Sequence, residues 1–207
     1  MSRLDSLISG TVAISLLLFS LSTKSSDSPQ ATIQAAVQKT LAIVQDPAYE
    51  GPARREDRLA KAEEVILSYF DTQEFARRAL GRYWSQRTPA EQQEFVRLFT
   101  ALVAHTYMDE IDRHAKDVKL FYDKERVDGT DAKVDTRVLS PGEQEPLSVN
   151  YMIHQVNGRW LIYDFQIDDM SIVINYRRQF TNVLNKSSYA DLIQLTKSKL
   201  QELNVKA

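Results

Sequence analysis

The chain has 207 residues, 43% hydrophobic and 26% charged, enough for one domain with its own core. Its formal net charge of -2 argues against a dedicated nucleic-acid binder, which carries a basic bias. It has no cysteine, which excludes disulfides, thiolate metal sites, a cysteine nucleophile and an acylated-cysteine anchor.

The N-terminus reads as a targeting segment. "LISGTVAISLLLFSLS", Leu7 to Ser22, is apolar and uncharged, with Arg3 ahead of it and small residues at its end. At 16 residues it falls short of the roughly 20 that span a bilayer. We therefore read residues 1–22 as a secretory signal peptide, cleaved or, as the alternative, kept as an anchor, residues 23–29 as a polar linker, and residues 30–207 as a single domain.

Pro29 opens the first helix, with Ile33, Val37, Leu41 and Val44 on one face. A second helix is predicted from about Ala53 to Phe70, charged at its start and apolar along Leu59, Ala62, Val65, Ile66, Tyr69 and Phe70. Asp71 caps a short third helix that stops at Gly81. A basic loop follows, carrying Arg82, Tyr83, Trp84 and Arg87. Thr88-Pro89-Ala90-Glu91 then forms a capping box for the longest helix, to about Ala115. Its stripe runs through Phe95, Leu98, Phe99, Leu102, Val103, Thr106, Tyr107 and Ile111.

Near residue 117 the period changes from helix-like to alternating. "VKLFYDKERV", "AKVDTRVL", "LSVNYMIHQV" and "RWLIYDFQI" read as four strands of an antiparallel meander. Asn157-Gly158 marks the hairpin between the last two. "SIVINYRRQFTNVLN" and a helix capped by Ser188 and Asp191 close the chain. Helices, then sheet, then helices define an α+β protein.

Catalytic and metal signatures are missing. The three histidines have no metal-ligand spacing, and no phosphate-binding or nucleophile-elbow motif occurs. Asp109, Glu110 and Asp112 read as a solvated helix face. Asp164, inside an apolar strand, is either a general base or, as we favour, the partner of Arg177 or Arg178. The aromatic helix stripe suits plain core. The last two strands, however, carry large side chains on both parities: Tyr151, Ile153, Trp160 and Ile162 on one, Met152, Leu161, Tyr163 and Phe165 on the other. Either helices cover both faces, or one face lines a cavity.

"ILSYFD", "ALGRYW", "TPAEQQEFVRLFTALVAHTY", "VNGRWLIYDFQID" and "SIVINYRRQF", in this order and spacing, resemble the MlaC family. These are periplasmic phospholipid-binding proteins of ABC transport systems of the toluene-tolerance and outer-membrane lipid-asymmetry type. The likeness runs from about Gln30 to Leu203. One departure is "DDMS", where the family often has a glycine just before its serine-led stretch, so the turn around Asp169 and Met170 differs from the family pattern.

The resemblance implies a nuclear-transport-factor-two-like core, with a four-stranded curved antiparallel sheet packed on helices around an apolar pocket. It places Trp84, Phe95, Phe99, Tyr107, Trp160, Val173, Tyr176 and Phe180 near that pocket. The helix stripe and the strand faces add Leu102, Val103, Val149, Tyr151, Ile153, Ile162 and Phe165. Tyr83 and Trp84 are candidates to close the mouth, with Arg82 and Arg87 facing lipid phosphate; the alternative, which we favour, is that Trp84 plugs the core and the arginines solvate the loop.

The implied role is a non-catalytic, monomeric shuttle with bound phospholipid as cargo and no cofactor. Its implied partners are an inner-membrane substrate-binding ring and an outer-membrane lipoprotein complex. The alternatives are a carrier of hopanoids or other lipids, and a small-molecule enzyme on the same cone-shaped fold using Asp164 and tyrosines.

Overall fold

Ser28 starts the first helix, α1 (Pro29–Val44), by accepting the Ala31 N–H on its hydroxyl, with Pro29 in the first turn. The computed structural model describes residues 28–114 and 117–203. The signal peptide and nearly all of the linker lie outside the described residues.

Two short 3-10 turns lead from α1 into α2 (Arg55–Leu67). This helix ends earlier than its apolar pattern suggests, because the next residues have another partner. Ile162 donates its N–H to the Tyr69 carbonyl and accepts the Asp71 N–H, both at 2.8 Å. That parallel bridge between Phe70 and Ile162 lays Tyr69–Asp71 along the sheet after a last turn at Ile66 and Leu67. Asp71 then caps α3 (Thr72–Leu80) by accepting the Glu74 N–H. Gly81 ends α3 at φ 60°, pressed against the Arg177 side chain; a Cβ there would sit 3.3 Å from it. A single 3-10 segment, Gly81–Gln86, leads to α4 (Pro89–His114), whose capping box forms as expected.

The sheet has five strands rather than four: β1 (Lys119–Asp128), β2 (Asp131–Leu139), β3 (Leu147–Val156), β4 (Arg159–Ile167) and β5 (Met170–Ser171). All neighbouring pairs are antiparallel, in the order β1-β2-β3-β4-β5. Asn157 and Gly158 both take positive φ in the β3–β4 turn, as their sequence requires.

The extra strand comes from the "DDMS" stretch. Asp168 and Asp169 both adopt positive φ, 44° and 63°, so a tight two-residue hairpin forms without glycine. Asp168 steadies it by accepting the Ser148 N–H. Left-handed backbone is strained for any residue with a Cβ, although aspartate tolerates it better than most. Asp169→Gly is therefore expected to stabilise the domain by about 0.5–1 kcal/mol, measured as a raised midpoint of urea unfolding.

A β-bulge in β4 settles the two-faced pattern. Tyr151 pairs with Phe165, Met152 with Asp164, and Ile153 with Ile162, leaving Tyr163 as the extra residue. The inserted residue flips the parity, so Phe165 faces the same side as Ile162, Ile153 and Tyr151. The large side chains therefore do not divide evenly between two faces. One face collects most of them and meets the helices, while Lys133, Asp135 and Arg137 alternate to the other.

After β5 come α5 (Ile172–Leu184), capped by Ser171, and α6 (Tyr189–Glu202), with the capping box predicted at Ser188 and Asp191. Two cores result. One lies among α3, α4, α5 and α6, around Phe75, Phe95, Phe99, Leu102 and Phe180. The other joins α1 to the sheet through Ile33, Val134, Ile153, Trp160 and Ile162.

Candidate lipid-binding site

A small apolar cavity lies where the two cores meet. Its volume is about 50 Å³. Ile66 and Leu67 of α2, with Phe70 beyond it, form one wall; Phe75 of α3 and Phe165 of β4 form another. Helix α4 contributes Thr100, Val103, Ala104, Tyr107, Met108 and Ile111. Steps of three and four residues put these on a single stripe.

The lining is aromatic at its floor. Phe70 meets Phe75 at 5.8 Å and Phe165 at 6.2 Å, edge to face, and Tyr107 meets Phe165 at 5.2 Å. Burial raises the Tyr107 hydroxyl pKa above the ordinary tyrosine range, with Tyr176 adding to the shift, so the phenol stays neutral. Thr100 is the other polar contributor; its hydroxyl is buried and makes no hydrogen bond.

A cavity of 50 Å³ holds only a few atoms. Sites for drug-sized ligands run to roughly 300–1,000 Å³. The space is far smaller than a site for an acyl chain.

Helix α2 is fastened to α4 along the outer edge of the cavity by charge. Asp112 accepts Arg58 Nε at 2.9 Å, Arg58 Nη2 at 3.1 Å and Arg55 Nε at 3.1 Å. Arg55 also reaches Asp109 at 2.9 Å. Asp112 is therefore not solvated as the sequence suggested: its side chain is only 7% exposed. One turn nearer the cavity, Glu63 stands 3.5 Å from His105. Burial pushes the Glu63 carboxyl pKa upward, against the opposing pull of His105.

The candidate residues fall into groups. Val103, Tyr107 and Phe165 line the cavity. Phe95, Phe99, Leu102, Val173 and Phe180 are buried in the helical core, with Trp84 and Tyr176 packed against it. Ile153, Trp160 and Ile162 belong to the core between sheet and α1, with Tyr151 against them. Val149 is half-buried on β3, between Thr136 and Ile167.

Arg82 and Arg87 lie elsewhere. Pro89 to Ala104 spans about 22 Å of helix, which separates the loop from the middle of the cavity. Arg82 bonds to the Tyr83 hydroxyl and Asn185. Arg87 stacks on Tyr189 and pairs with Glu91. A polar cleft of about 170 Å³ opens beside Arg87, Tyr83 and Tyr189. It is the larger opening, but the apolar lining of the smaller one suits a hydrocarbon chain.

The sequence reading missed Ile66, Leu67, Phe70, Phe75, Thr100, Ala104, Met108 and Ile111 as cavity residues. For those on α4 the signal was a second apolar stripe, one position round from the Phe-rich one and running from the middle of the helix toward its C-terminal end. Phe95 and Phe99 drew the pattern toward the stripe that packs on α3, α5 and α6.

Asp164 also finds a different partner from the one favoured above. It accepts the Ser171 hydroxyl at 2.5 Å and the backbone N–H groups of Phe165 and Val173 at 2.8 and 3.1 Å. Arg177 instead donates to the Arg78 carbonyl, and Arg178 is exposed. Desolvation raises the Asp164 pKa, and these three hydrogen bonds oppose the rise. Both carboxylate oxygens are committed to holding the start of α5, an anchoring role.

Among the described residues no cluster of histidine and acidic side chains has the makings of a metal site. No described helix is long and apolar enough to cross a membrane.

The sequence pattern of the MlaC protein matches residues 34–198. Among solved structures, a phospholipid-binding protein from Ralstonia solanacearum, solved in complex with a phospholipid, superposes with a TM-score of 0.75. It is 26% identical, and the match covers 86% of this chain and 99% of that one. No curated protein matches the chain. With the matched pattern spanning both cores and the cavity between them, the chain belongs to the MlaC family.

Proposed function

We propose that this protein is a phospholipid carrier that holds acyl chains in an enlarged form of the cavity between α2, α4 and β4. The observation that carries the reading is the apolar cavity itself, at the junction of two cores in a fold shared with a phospholipid-bound relative. In this reading the protein works in the periplasm. It moves lipid between an inner-membrane substrate-binding ring of an ABC transporter and an outer-membrane lipoprotein complex, without catalysis.

The energetics favour such a site. Each methylene buried from water contributes about 0.8 kcal/mol. A chain leaving a bilayer needs an equally apolar replacement, and the phenylalanine-rich lining supplies one.

Native mass spectrometry of the protein purified without detergent, followed by lipid extraction, tests the reading. The expected result is an adduct of phospholipid mass, retained in Asp164→Asn. A polycyclic lipid adduct would move the cargo to the hopanoid class. A clean unliganded mass, repeated after incubation with phospholipid vesicles, would overturn the carrier.

A further inference from the structure

The cavity must grow to take a chain, and its walls are not equally held. Helix α4 buries seven side chains and α3 buries four of its nine, while β4 is hydrogen-bonded to β3 along its length. Helix α2 buries one, Ala62. It packs against α1, and its grip on α4 at the Ile111 end of the cavity is the ionic cluster of Arg55, Arg58, Asp109 and Asp112. The seam between α2 and α4 is therefore the weakest wall.

Opening that seam is costly unless the charges find new partners. Asp112 and Arg58 are both largely out of water, with side chains 7% and 15% exposed. Separating a buried pair strands two charges. An anion arriving with the cargo removes half of that cost.

The geometry at Arg58 suits such an exchange. Its Nε and Nη2 form a fork on Asp112, while Nη1 donates to the Tyr49 carbonyl at 2.7 Å. Tyr49 precedes α2 in the chain, so the guanidinium is braced from outside the seam and keeps its plane when Asp112 leaves. Arg55 reaches the same carboxylate. A phosphate oxyanion meets guanidinium forks in the way a carboxylate does.

We propose that Arg55 and Arg58 form the phosphate site for the cargo, exchanging Asp112 for the phosphate when the seam between α2 and α4 opens. The site rests on the carrier reading above and deepens it. The lipid then completes the ion pairs that its own chains break. An apolar chain without phosphate leaves the arginines unpaired, so the site selects phosphate-bearing lipids. It is distinct from Arg82 and Arg87, which stand at the other end of α4.

The test compares Asp112→Asn with the double variant Arg55→Ala/Arg58→Ala in a vesicle assay on the full chain. The probes are fluorescent phosphatidylglycerol and a diacylglycerol with the same chains. Both variants break the pairs of Asp112 with Arg55 and Arg58, and the double variant also loses Arg55–Asp109; if the arginines only latch the seam, both loosen it, and both take up and release lipid faster. The exchange predicts different effects. Asp112→Asn takes up phosphatidylglycerol faster than wild type and releases it no faster, whereas the arginine variant releases it roughly tenfold faster. Diacylglycerol retention stays the same in both.

Identical behaviour of the two variants with phosphatidylglycerol overturns the proposal. So does arginine-dependent binding of inorganic phosphate in a protein whose lipid retention ignores the arginines, since that describes a free-phosphate site. Should the double variant fail to fold, Arg58→Lys carries the test. It keeps the charge and loses the fork, and intermediate retention is expected; wild-type retention overturns the site. If wild type takes up neither lipid, the carrier reading itself falls, an outcome distinct from uptake that is indifferent to Arg55 and Arg58.

Discussion

Ala104→Trp is expected to abolish phospholipid loading while leaving the domain folded. Ala104 lies on the cavity stripe of α4, among Val103, Tyr107 and Met108. An indole there overfills a space of about 50 Å³ and occupies the path an acyl chain must take. Overpacking of this kind costs about 1–3 kcal/mol, within the roughly 5–15 kcal/mol that stabilises a domain. The helix itself tolerates the change. Bound lipid, read as the adduct fraction in native mass spectra, should fall by roughly tenfold or more, with far-ultraviolet circular dichroism unchanged. Full loading in this variant would place the chains in another part of the molecule.

Phe99→Ala is expected to do the reverse, lowering stability sharply without a specific effect on cargo. Phe99 is fully buried and stacks on Phe75 at 4.9 Å and on Phe95 at 5.6 Å. Tyr176 and Phe180 meet its ring edge to face at 5.1 and 5.5 Å. Truncation removes the transfer free energy of the ring and leaves a void that tightly packed neighbours cannot fill. Losses for such changes run to about 3–5 kcal/mol. Urea unfolding reads this directly, as a midpoint lowered by roughly 2 M at an ordinary dependence on denaturant. A loss below about 1 kcal/mol would mean that Phe99 faces a space of variable volume, the role the family resemblance suggested for it.

These two residues sit five positions apart on one helix and have opposite expected roles. Periodicity shows that a face is apolar without showing what it meets. On α4 two stripes overlap at Val103. The stripe through Phe95 and Phe99 meets α3, α5 and α6, and the stripe through Ala104 and Met108 meets the cavity. Which neighbour lies beyond each is fixed by elements distant in sequence.

The sequence by itself determined the local structure of this protein. The capping boxes at Thr88–Glu91 and Ser188–Asp191, the Asn157-Gly158 hairpin, the end of α3 at Gly81 and the change of period after α4 each rest on interactions within a few residues. The α+β order and the family followed from the same residues. Tertiary structure alone decided the rest. The bulge at Tyr163 turned Phe165 toward the helices, because register depends on the facing strand. Pairing of Tyr69 and Asp71 with Ile162 cut α2 short. Asp112 became a buried ion-pair partner through Arg58, 54 residues away. The cavity likewise depends on how far apart two separately packed cores come to rest, a distance that no local pattern encodes.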